Sequence, residues 1–114
     1  MLKKHLSPPT ASLLAALGLC VATLLPSNAV ASQALAQKYA CVACHQPATK
    51  TVGPSWKDIR AKYGDGSTTA AQLAATIKAG STGKWGAMPM PPQPSIPDAD
   101  LQTLAQWVLD GPRP

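Results

Sequence analysis

The sequence predicts an all-α protein, and three features of its 114 residues carry that expectation. No stretch of useful length alternates apolar and polar residues, as a half-buried strand requires. Apolar residues recur instead at helical spacing, as at Leu73, Ala74 and Ile77, and again at Leu101, Leu104, Ala105 and Val108. Such stretches lie between capping residues and glycine or proline stops.

The first 31 residues read as a secretory leader. Lys3, Lys4 and His5 form a basic start, an apolar run spans Ala11 to Leu25, and Ala29-Val30-Ala31 offers a small-x-small cleavage site. The run is too short and wrongly flanked for a typical membrane span. Cys20 lies inside the apolar run and should leave with this segment; an acylated lipoprotein cysteine would fit poorly after Leu19. Cleavage after Ala31 leaves one domain, residues 32–114, of 83 residues. No Phe is present and bulky apolar side chains are few, so a core of this size is marginal without something else to pack around.

Within the domain, Ser32 to about Cys44 reads as the first helix, built from Ala, Leu, Gln and Lys with Ser32 as cap. Pro47 ends the turn that follows, and Gly53-Pro54 marks a loop. Pro54 then opens a short helix through Tyr63, closed by Gly64. Thr68 or Thr69 caps a third helix over Ala70 to Ala79, which Gly80 stops. Ser81 to Pro94 holds four prolines and two glycines and cannot be regular helix. Ser95 and Asp98 form a capping pattern for the last helix, and Gly111 and Pro112 end it.

Cys41-Val42-Ala43-Cys44-His45 is the run with chemistry in it. C-x-x-C-H is the attachment pattern of a c-type haem. Cysteines at i and i+3 share one face of a helical turn, so both thiols can reach the vinyl groups of one haem. His45 follows directly and can reach the iron from the same side. A thioredoxin-like redox pair would need a βαβ context, which is missing. A disulfide closing so short a loop is a poor staple. A zinc site would want four ligands, and no second His remains in the domain. If His45 is one axial ligand, a six-coordinate electron-transfer iron needs a second donor, for which Met88 and Met90 are available. Both lie in a loop stiffened by Pro89, Pro91 and Pro92.

Further stretches fall in order behind that box: Val52-Gly53-Pro54, Lys84-Trp85-Gly86, Pro89-Met90-Pro91-Pro92 and Leu104 to Leu109 with Trp107 inside it. Together they cover nearly all of Ser32 to Leu109 and resemble a class I c-type cytochrome of the short bacterial monohaem kind. The resemblance implies about four helices wrapped around one haem c held covalently by Cys41 and Cys44. It implies that Met90 is the distal ligand opposite His45, with Met88 left as a packing residue. It further implies that the Pro54 carbonyl accepts a hydrogen bond from the His45 imidazole, fixing its tautomer. Trp85 falls where the family's tryptophan reaches a haem propionate, a role suited to its donor-only indole. Two departures stand out. Ala36 and Ala40, beside Tyr39, occupy a stripe where relatives often place an aromatic, leaving Trp107 to pack against them. Gln93 stands where relatives often use Asn to bond the ligating sulfur.

The resemblance implies an electron carrier of the periplasm rather than an enzyme, with iron cycling between Fe(III) and Fe(II). Its expected partners are redox proteins such as a periplasmic reductase, a terminal oxidase or a bc1-type complex, met as a monomer without stable membrane insertion. Without Lys3 and Lys4, eight Lys/Arg stand against five Asp, a net charge of about +3. No dense basic run or known module points to nucleic acid. Scattered Lys50, Lys57, Lys62 and Lys84 suit steering towards an acidic partner. A peroxidase-like enzyme or sensor with an open distal site is the alternative, and it requires that Met90 not ligate. A haem-free dithiol protein or metallochaperone using Cys41 and Cys44 is the third reading.

Overall fold

The computed structural model describes residues 28–112, so the expected leader lies, up to residue 27, outside the described residues. Four α-helices make up the described part: α1 over Asn28–Lys38, α2 over Trp56–Tyr63, α3 over Ala70–Ala79 and α4 over Asp98–Asp110. Among these residues there is no strand, and no helix is long and apolar enough to cross a membrane.

α4 is the element the others share. Leu101, Leu104, Ala105 and Val108 are buried as the spacing predicts, and Trp107 joins them. α3 packs most extensively on this face, and α1 and α2 also lie against it. Leu73 and Ala74 of α3, Trp56 and Ile59 of α2 and the fully buried Ala36 of α1 complete one apolar cluster. At the edge, the Tyr39 hydroxyl donates to the Asp100 carboxylate, tying the end of α1 to α4.

The first helix differs from its expected span. It stops at Lys38, and Cys41 opens a separate 3-10 turn over Cys41–Ala43 that Cys44 caps. The break is Ala40, whose φ of 57° is left-handed and which no α-helix can propagate through. Ala40 is therefore exposed rather than part of the packing stripe.

Helix starts are set by their caps. Ser55, not Pro54, begins α2: its side chain accepts from the Asp58 N–H at 3.1 Å, while the Asp58 carboxylate accepts from the Ser55 N–H at 3.2 Å. Thr69 and Gln72 repeat this box on α3. The Ser95–Asp98 pattern does not form one. α4 starts at Asp98 behind Pro97, which lacks a capping side chain, and Asp98 instead pairs with Lys78 of α3. Proline at 97 pushes Ile96 towards extended backbone, which keeps the helix from starting earlier.

Ser55 is fully buried, and its bonds hold the Asp58 carboxyl below its usual range. The folded state thus binds that proton less readily than the unfolded chain. The contribution is present above the ordinary carboxylate range and is lost as pH falls through and below it. Ser55→Ala should cost about 1 kcal/mol in guanidinium unfolding at neutral pH. The deficit relative to wild type should shrink in acid.

Candidate functional site

His45 is the most constrained side chain of the cleft. Its Nδ1 lies 2.7 Å from the Pro54 carbonyl oxygen, and both residues are buried. A carbonyl only accepts, so Nδ1 carries a proton, and the neutral tautomer with this bond has Nε2 as its bare nitrogen. The loop from 45 to 54 is closed to allow this. Gly53 N–H donates to the Cys44 carbonyl at 2.9 Å, and Trp56 N–H to the Gln46 carbonyl at 2.9 Å. Gly53 is required by closeness: a Cβ there would stand 2.9 Å from a carbon of the imidazole and 3.1 Å from Nδ1.

A further constraint comes from a residue outside the expected set. The Trp56 ring stacks on His45 with centroids 4.8 Å apart and planes 27° apart, and Trp107 meets Trp56 edge-on at 5.4 Å. Trp107 thus backs the imidazole through Trp56, while sharing one buried cluster with Ala36 of α1. The sequence signal was present in part: Trp56, Ile59 and Tyr63 recur at i, i+3 and i+7, which marks Trp56 as core but not its ring partner.

Cys41, Cys44, His45, Pro54, Trp85 and Met90 all line one cleft. Its empty space is about 1120 Å³ with the open mouth included, and its wall is overwhelmingly apolar. Both thiols are free and half-buried. Burial pushes the Cys41 thiol up, the reverse of what a redox dithiol needs in its attacking cysteine. The residues therefore fit a covalent haem: two free thiols and an imidazole line one cleft with apolar walls.

The Met90 side of the cleft is built by the segment after α3. Ser81 and Met90 exchange both backbone bonds, at 3.0 and 2.8 Å. Met90 is half-buried and Met88 is 64% exposed, and both line the cleft. Gln93 does not turn to a sulfur: its side-chain amide donates to the Pro91 carbonyl at 3.1 Å. Trp85 is half-buried, edge-on to Tyr63 at 6.1 Å, with the Lys62 ammonium 4.3 Å over its face. Lys62 also donates to the Lys84 carbonyl at 2.8 Å, so it is tied down, unlike the exposed Lys50, Lys57 and Lys84.

Four helices on this plan around a C-x-x-C-H cleft define a small class I cytochrome. The chain belongs to the cytochrome c family: the family model described as cytochrome C oxidase, cbb3-type, subunit III matches residues 27–108. More particularly, it is similar to the small bacterial cytochromes c-551 and c-552. It is 51% identical over 88 residues to cytochrome c-552 of Nitrosomonas europaea, covering 77% of this chain and 85% of that one. It is 46% identical over 93 residues to cytochrome c-551 of Pseudomonas aeruginosa, covering 80% and 88% respectively. The crystal structure of the wild-type Nitrosomonas europaea protein superposes with a TM-score of 0.65 over 68% of this chain and 96% of that one, at 52% identity. The class 1 cytochrome MtoD of Sideroxydans lithotrophicus, at 21% identity and a TM-score of 0.58, shares the fold. The family's cofactor is one covalently bound haem c, for which Cys41 and Cys44 are correctly spaced.

Two substitutions test this packing. Trp56→Ala should cost about 3–5 kcal/mol in equilibrium unfolding, because it empties the space between His45 and Trp107. Gly53→Ala should cost about 1–3 kcal/mol by forcing a methyl against the imidazole. It should also shift the His45 ring resonances in the NMR spectrum.

Proposed function

We infer that the protein is a one-electron carrier of the periplasm whose iron is held between His45 and Met90. The observation that carries this reading is that both donors reach one apolar cleft from separately clamped backbones: the His45 loop and the Ser81–Met90 pairing. Bound haem c supplies a one-electron Fe(III)/Fe(II) couple and makes or breaks no bond to a substrate. The chain's part is to keep the donor set unchanged between the two states. Pro54 fixes the tautomer and plane of the imidazole and makes it a better donor. The proline-flanked Met90 has little conformational freedom to lose, and a thioether partner favours a high potential. Trp85, which lines the cleft, would donate its indole N–H to a carboxylate of the cofactor.

The domain of residues 32–114 would follow a leader cleaved after Ala31, which delivers it to the compartment where haem is attached. The partners are redox proteins, such as a reductase, a terminal oxidase or a bc1-type complex. Exposed Lys50, Lys57 and Lys84 supply charge for a weak, fast encounter with an acidic surface. An enzymatic role would need an open distal position and a proton-transferring group beside it, and the clamped Met90 supports neither.

Haem staining should survive denaturing electrophoresis, and its loss would support the dithiol reading instead. The ferric protein should show the weak near-infrared band of a methionine–iron bond. Met90→Ala should abolish that band and Met88→Ala should keep it; the reverse result would overturn the ligand assignment. Electron transfer to a partner should slow as ionic strength rises, and a flat response would rule out lysine steering.

A further inference from the structure

Gly80 was legible in the sequence only as the stop of α3, yet it is also where that helix meets the Met90 segment. Its φ of 75° and ψ of 176° lie in a region essentially confined to glycine. Conformation alone would make it a structural residue. Gly66 has an equally restrictive φ of +91° with nothing within 4 Å of the place a Cβ would take. At Gly80 that place is filled. A Cβ would stand 2.7 Å from the Met90 carbonyl oxygen, 2.8 Å from the Pro92 nitrogen and 3.0 Å from the Pro91 carbonyl carbon.

All three neighbours are backbone atoms, and the prolines restrict how the chain can bend away. The same contact is fastened on either side. Ser81 and Met90 exchange backbone bonds, and the Gln93 N–H donates to the Lys78 carbonyl at 3.1 Å. Thus the end of α3 grips residues 90–93 along their backbone, and α3 itself is anchored on α4.

We propose that the bare Cα of Gly80 is the seat that sets how far Met90 is carried into the cleft, making Gly80 a positioning residue for the distal sulfur. The proposal rests on the reading of Met90 as the distal ligand. A side chain at 80 pushes the segment off α3 and takes the sulfur with it. The iron's distal position then opens more often, and an external ligand competes for it more successfully.

The test uses the haem-loaded protein and its Gly80→Ala, Gly66→Ala and Met90→Ala variants. Three readouts are needed: the near-infrared methionine–iron band, the affinity of the ferric protein for imidazole, and the thermal midpoint. Gly80→Ala should weaken the band and tighten imidazole binding by about tenfold or more, as a tenfold larger open population requires. Gly66→Ala should lower the thermal midpoint but leave the band and the imidazole affinity at wild-type values. A Gly80→Ala protein with the wild-type band and affinity overturns the proposal, as does a Gly66→Ala protein that shifts both equally. A band that persists in Met90→Ala overturns the ligand assignment and the proposal with it. If Gly80→Ala does not accumulate, hydrogen exchange on the wild type decides. The Ser81 and Met90 amides should be protected in the ferric protein and lose protection together when imidazole binds. Free exchange without imidazole, or unchanged protection with it, overturns the seat.

Discussion

The hydrogen bond from His45 Nδ1 to the Pro54 carbonyl is the interaction on which the rest of this structure depends. It forces the chain to double back within nine residues, which makes Gly53 necessary beside the imidazole and places Ser55 at the start of α2. α2 in turn begins with Trp56, whose ring covers the imidazole and passes the contact to Trp107 on α4. One bond thus joins His45 to the shared helix of the fold. A polar contact this short and buried is stabilising only because both groups are satisfied, and a carbonyl acceptor leaves Nε2 as the nitrogen free to bind a metal.

The two sides of the cleft are held by different physics. On the His45 side, aromatic packing and a buried hydrogen bond hold one side chain in place. On the Met90 side, the backbone is held through paired amides and a glycine contact, and the thioether itself is left to reach. Thioethers are flexible and adaptable, so rigidity has to be supplied by the chain that carries them. Proline on both sides of Met90 and the Gly80 seat supply it. An electron carrier needs this division, since a donor that moves on reduction adds to the barrier of every transfer.

Much of this was legible in the residues. α3 falls over Ala70–Ala79 as its caps and stripe predict, and the buried face of α4 matches its spacing. Pro54, Trp85 and Met90 share the cleft with the C-x-x-C-H turn, as the family resemblance suggested. What escaped was set by tertiary contacts. Ala40 is a good helix former, yet it takes a left-handed φ that ends α1 before the cysteines. Ser95 and Asp98 have capping spacing, yet Asp98 finds Lys78 across the fold. Lys62 reads as a free surface charge until the Lys84 carbonyl and the Trp85 ring are beside it. Gln93 likewise spends its amide on the Pro91 carbonyl. Single-residue spacing cannot encode such partners, because each depends on a segment tens of residues away or on a loop's exact path.

The central claim is that one imidazole nitrogen and one thioether sulfur bind the iron in both oxidation states. X-ray absorption at the iron edge, recorded on the ferric and the ferrous protein, tests it most directly. The account predicts a single sulfur scatterer and an unchanged coordination number in both spectra. A light oxygen or nitrogen scatterer replacing the sulfur in either state, or a five-coordinate iron in either, would contradict it.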